Sequence, residues 1–71
     1  YYMREYSDCL EAIYEYEESH DPNPSLVNLK GVCYRALGDV ENACRNFEAA
    51  MRMGNDSGER NYRNFCLDGD E

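Results

Sequence analysis

Residues 38–47 read GDVENACRNF, and how this stretch is read decides the fold. Gly38 punctuates the chain. Asp39 behind it offers a carboxylate to the unpaired amides of a first helical turn. Val40, Ala43, Cys44 and Phe47 follow at steps of three, one and three, which puts them on one face of a helix. On that face the small Ala43 stands one turn before the large Phe47. A small core residue there, behind a turn glycine, raises the question of what packs against it.

The pattern continues in both directions. Ala50 and Met51 extend the apolar stripe, and Gly54 with Asn55 stops it, so a third helix is expected over about 40–53. Asp56 or Ser57 can cap a fourth, shorter helix carrying Tyr62, Phe65 and Leu67; residues 68–71 are an acidic tail with nothing apolar to bury. Before Gly38, residues 24–37 read as a second helix, with Asn23 as its cap, Pro24 at its first position and Gly38 ending it in the left-handed conformation. Its apolar residues are Leu26, Val27, Val32, Cys33, Tyr34 and Leu37. Gly31 in mid-helix costs ~1 kcal/mol relative to Ala, and close approach of a neighbouring helix is the usual reason for it. A first helix is expected over 3–19, with Tyr6, Cys9, Leu10, Ile13 and Tyr16 on one side and a Glu-rich opposite side. Asp21-Pro22-Asn23-Pro24 then breaks the chain. No segment reads convincingly as a strand, so the fold expected is all-α, with about four helices in antiparallel pairs.

The first and third helices superimpose at one offset. Tyr6 matches Val40, Cys9 matches Ala43, Leu10 matches Cys44, Ile13 matches Phe47 and Tyr16 matches Ala50, each 34 residues apart. A period of 34 with helix–turn–helix units is the tetratricopeptide spacing, and the chain resembles that family (TPR). It carries Gly31-x2-Tyr34, the turn Gly38-Asp39, and Ala43-x3-Phe47, with Ala50 and Met51 where the family places a small residue followed by Leu. It departs from the pattern with Val27 for Trp, Lys30 for Leu and Asn55 for the closing Pro, and Cys9 stands for Ala in the earlier unit. The resemblance spans the second half of one unit (1–23), a complete unit (24–57) and the beginning of a third (58–67).

What the resemblance implies is an α-solenoid domain over 1–71 that acts as a protein-binding scaffold. Gly31 and Ala43 would face each other where two helices cross, with Tyr34 and Phe47 supplying buried area. The family's groove positions fall on Ser25, Asn28, Val32 and Arg35, then on Glu59, Tyr62 and Cys66. Of these, Asn28, Val32, Arg35 and Tyr62 are the candidate peptide-binding residues: an amide that donates and accepts, an apolar contact, a bidentate carboxylate partner and an aromatic with a polar tip. Leu29 stands where chaperone-tail-binding members carry Asn, which argues against that activity.

Tyr1-Tyr2-Met3 read as the last turn of a helix that would pair with the first. The chain is accordingly expected to be part of a longer array or to self-associate, since solenoid units stack to cover such faces. Size points the same way: below about 70–80 residues a lone core rarely supplies more than ~3–5 kcal/mol, and this chain has 71.

Composition narrows the function. Fifteen acidic residues against seven basic ones give a net charge of −8, which disfavours nucleic acid and anionic membrane surfaces as partners. The acidic residues of the first helix, Glu5, Asp8, Glu11, Glu15, Glu17 and Glu18, read as a solvated face. Cys9, Cys33, Cys44 and Cys66 contain no C-x-x-C pair, and His20 lies alone in a polar turn, so no metal site is expected. Free, small hydrophobic thiols are expected instead, and with them a reducing compartment, cytoplasmic or nuclear. No nucleophile–base set, phosphate loop or cofactor motif is present in the sequence, so an enzyme is not expected. Two alternatives to peptide binding remain: an RNA-reading pentatricopeptide-like repeat, opposed by Gly31, the 34-residue offset and the acidity, and a segment that only stacks or oligomerises.

Overall fold

The computed structural model describes residues 2–67, with side chains from Arg4 onward. The acidic tail 68–71 and Tyr1 lie outside the described residues. The chain forms α1 (Tyr2–Ser19), α2 (Pro24–Ala36), α3 (Val40–Arg52) and α4 (Asp56–Phe65), with no strand among the described residues. Tyr2 and Met3 belong to the first turn of α1, so they are not the end of a preceding helix as the sequence suggested.

The last two connections are one device used twice. Gly38 and Gly54 both take positive φ, +89° and +90°. The amides of Gly38 and Asp39 return to the carbonyls of Arg35 and Tyr34, and those of Gly54 and Asn55 to Met51 and Ala50. These are Schellman closures, which satisfy the last carbonyls of one helix. The residue after each glycine then caps the next helix: Asp39 Oδ1 accepts from the Asn42 amide at 3.2 Å, and Asn55 Oδ1 from the Gly58 amide at 2.6 Å. The cap of α4 is therefore Asn55, one residue ahead of the expected Asp56 or Ser57. At the first connection Asn23 caps α2 as expected, accepting from Ser25 and Leu26.

Contacts fall symmetrically about each turn, which makes successive helices antiparallel. In mid-α2, a Cβ on Gly31 would meet the Phe47 ring at 2.5 Å and the Ala43 carbonyl oxygen at 3.1 Å. The glycine thus answers to the Phe47 ring, with the backbone of Ala43 behind it, where the sequence suggested simple glycine-on-alanine contact. Gly58 of α4 does the same against α3, where its Cβ would lie 2.6 Å from that of Ala50. Leu10, Ile13, Val27, Cys33, Ala43, Phe47 and Ala50 form the core. Tyr34 is only half-buried; Cys33 is the residue that joins Phe47 among the fully buried side chains. Val40, expected in the stripe, is 58% exposed at the first position of α3.

Among the described residues α1 packs against α2 alone, while α2 also meets α3 and α4. The molecule measures 38 × 30 × 15 Å, and its short axis is less than two helix diameters. So thin an arrangement leaves helix faces uncovered.

Candidate interaction surfaces

The exposed edge shared by α2 and α4 is built from two cross-helix pairs. Asn61 Nδ2 donates to Asn28 Oδ1 at 2.9 Å. The Arg35 guanidinium lies 3.7 Å from the centroid of the Phe65 ring, and Phe65 in turn leans on Phe47, 6.2 Å between centroids. Both pairs run forward in both helices, so α2 and α4 are parallel neighbours, and the Asn pair spans 33 residues.

These pairs fix polar groups without exhausting them. Asn28 keeps its amide N–H groups and Asn61 its carbonyl oxygen for another partner. A guanidinium stacked on a ring still presents N–H donors at its edge, in the plane a carboxylate needs. Val32 and Leu29 are exposed beside them at 38% and 39%.

The expected groove residues divide under this geometry. Asn28, Val32 and Arg35 share the α2 edge. Tyr62 is half-buried, as Asn28 and Asn61 are, and lies one helical turn from both Gly58 and Cys66, the residues by which α4 meets α3. The α4 residues that pair with α2 are Asn61 and Phe65. Glu59 pairs with Arg63 at 3.0 Å on the outer side of α4, and Ser25 is exposed at the start of α2. Asn61 went unnoticed because nothing in a sequence marks a residue 33 positions away as a partner. Phe65 had been placed only as apolar content of the fourth helix.

Cys66 leaves the groove altogether. It is disulfide-bonded to Cys44, with Cα atoms 5.8 Å apart, and two of the four expected free thiols are therefore not free. Both cysteines lie eleven residues from Asn55, and antiparallel packing about that turn brings them within bridging distance. The expectation of a reducing compartment rested on four free thiols and loses that support.

The seam between α1 and α2 carries polar pairs beside its buried Leu10, Ile13, Val27 and Cys33. Lys30, which departs from the repeat pattern, is buried and donates to Glu17 Oε1 at 2.9 Å. Its ammonium also lies 5.0 Å from the centre of the Tyr14 ring. Glu17 accordingly leaves the solvated face assigned to it and is half-buried. The Tyr14 and Tyr34 hydroxyls share a hydrogen bond, which with burial pushes the Tyr34 phenol up to about 12. Cys33 is also pushed up to about 12, mainly by burial and then by a side-chain hydrogen bond with Cys9. At the start of α3, hydrogen bonds from the Asn42 side chain and amide hold the Asp39 carboxyl below its ordinary range. His20, exposed, stacks on Tyr16 with centroids 4.0 Å apart.

Between α1 and the start of α2 lies an open, mostly apolar depression of about 380 Å³ lined by Cys9, Ala12, Ile13, Tyr16 and Leu26. Cys9, Ile13 and Tyr16 are the residues that match Ala43, Phe47 and Ala50, the face of α3 that α2 and α4 cover. Among the described residues no group of three His, Cys, Asp or Glu is placed to hold a metal, and no helix is long and apolar enough to cross a membrane. No family model, curated protein or solved structure matches the chain.

Proposed function

We propose that the chain is a protein-interaction module, a short stretch of TPR-like α-solenoid whose α2–α4 edge binds a partner's peptide or helix. The observation that carries this is the pairing of half-buried Asn28 with Asn61 and of exposed Arg35 with Phe65, which holds hydrogen-bonding groups in place beside exposed Val32. Groups already immobilised lose less entropy when a ligand arrives. A stacked Arg35 favours a partner that brings a carboxylate, and the two amides suit its backbone.

The test is capture of partners from lysate by the wild-type chain and by the double variant Asn28→Ala/Arg35→Ala, with helix content matched by circular dichroism. Specific loss of a partner by the double variant supports the edge as the binding face. Undiminished capture counts against it.

A second reading is favoured by the depression on α1. Its residues match those that α3 buries, so stacking on an adjacent repeat or on a second copy would cover it. Sedimentation of wild type against Tyr16→Glu, at an exposed position of the depression, distinguishes this: association that the charge abolishes supports stacking through α1, and association unchanged by it counts against stacking.

A further inference from the structure

α4 is ten residues long, and only Gly58 among them is buried. Helices under about 12–15 residues are marginal in isolation, so α4 depends on what fastens it. Its attachments run in order along its length. Gly58 lies against Ala50 in the first turn, Asn61 bonds to Asn28 in the middle, and Phe65 leans on Phe47 at the end. Phe65 remains 40% exposed, so burial alone holds it weakly. The next residue is Cys66, which caps the helix and carries the disulfide to Cys44. The one covalent attachment of α4 thus lies a single residue from the ring on which Arg35 stacks. Both cysteines are half-buried, which leaves the bridge within reach of a small thiol.

We propose that Cys44–Cys66 is a redox switch of the α2–α4 edge: a dithiol reductant opens the bridge, α4 lets go and the edge comes apart. The switch rests on the reading of that edge as the binding face. A thiolate of the dithiol attacks one sulfur of the bridge, forming a mixed disulfide and releasing the other sulfur as a cysteine thiolate. The second thiolate of the dithiol then attacks its own partner sulfur in the mixed disulfide. That bond closes the reductant to a disulfide and frees the second cysteine. Two electrons pass from the dithiol to the bridge, and its two protons end on Cys44 and Cys66. With the last turn of α4 unfastened, Phe65 leaves Phe47, and Arg35 and Asn28 lose their partners. α2 and α3 keep their own close contact, Gly31 against the Phe47 ring, so the loss stays in α4. Only molecules with α4 docked present the edge, so affinity falls by the factor by which the docked population falls.

The folded chain is treated with dithiothreitol, and alkylation with mass spectrometry confirms that Cys44 and Cys66 join Cys9 and Cys33 as free thiols. Hydrogen exchange is then read on both forms. The amides of 56–65 should lose protection on reduction while those of α2 and α3 keep it. A carboxylate-bearing peptide, selected by display on the oxidised chain and shifting Asn28 and Arg35, should bind the reduced chain more weakly by the same factor. That is about tenfold where one molecule in ten keeps α4 docked, and reoxidation should restore it. Protection of α4 unchanged by reduction overturns the switch, as does loss of protection throughout the chain or equal affinity in the two forms. If no peptide shifts Asn28 and Arg35 in the oxidised chain, the edge reading fails and the switch with it, even where α4 lets go. Cys44→Ser/Cys66→Ser should behave as the reduced form with or without dithiothreitol. The wild-type comparison decides even if that variant folds poorly.

Discussion

Across α3 and α4, Gly58 lies against Ala50 and a disulfide joins Cys44 to Cys66; across α1 and α2, the contacts are Glu17 with Lys30, Tyr14 with Tyr34, and two thiols left open. The first seam brings backbones together where no side chain intervenes. The second adds polar pairs at the ends of long side chains to the buried Leu10, Ile13, Val27 and Cys33. The difference follows from what each helix has on its other side. α4 is fastened to both α3 and α2, whereas α1 meets α2 alone. A helix packed on one neighbour alone has less to lose on opening than one packed on two. α1 is therefore the element that loosens while the α2–α3–α4 unit holds.

The strongest way to break this contrast is to cut the covalent link. Cys44→Ser with Cys66→Ser should lower stability by about 3 kcal/mol, the loop-entropy value for a loop of this size. Urea denaturation measures it, and hydrogen exchange should show the loss concentrated in α4.

The polar seam gives the next effect. Lys30→Ala strands Glu17, whose side chain is only 19% exposed, and should cost about 2 kcal/mol. Lys30→Met combined with Glu17→Leu should recover most of that, because replacing both charges removes the desolvation penalty along with the pair. Thermal melts of the three variants check the pattern.

Gly58→Ala comes third. The new methyl would sit 2.6 Å from the Ala50 Cβ and 3.2 Å from the Met51 amide nitrogen, so backbone must move. Crowding costs about 1–3 kcal/mol and better helix propensity returns about 1, leaving roughly 1 kcal/mol of loss by denaturation.

The last effect is absent at neutral pH. Tyr34 and Cys33 are held protonated in the fold, with ordinary values of 10.0 and 9.0 raised to about 12. Their stabilisation is fully present below pH 9 and is lost as pH climbs towards 12. Tyr14→Phe removes the largest cause of the Tyr34 shift. NMR of the Tyr34 ring should then show titration moving back towards 10.

Much of this architecture was legible because it is local. Asn23 before Pro24, Asp39 after Gly38 and Gly54 at a helix end act within a few residues, and the sequence displays them directly. Gly31 was readable because a glycine in mid-helix needs a neighbour. Gly58 carried the same signal near the start of a short helix, where glycine draws less notice. The misses are pairings at a distance. A search for cysteines close in sequence cannot find Cys44 and Cys66, which only an antiparallel turn brings together. Lys30 looked like a flaw in the repeat until Glu17 proved to face it. At the candidate site, the sequence named Asn28, Val32 and Arg35 on α2 and Tyr62 on α4, whereas the α4 residues that pair with α2 are Asn61 and Phe65. Tyr62 and Asn61 are neighbours in sequence and so about 100° apart around the helix, a step that a sequence without coordinates does not resolve.

Peptides selected by display on the folded chain allow the decisive measurement: titrate one into isotope-labelled protein and follow the backbone amide resonances. The expected result is saturable shifts centred on Asn28, Val32, Arg35, Asn61 and Phe65, with α1 unmoved. Shifts confined to Cys9, Ala12, Ile13 and Tyr16, or no peptide enriched at all, would contradict the α2–α4 edge as the binding face.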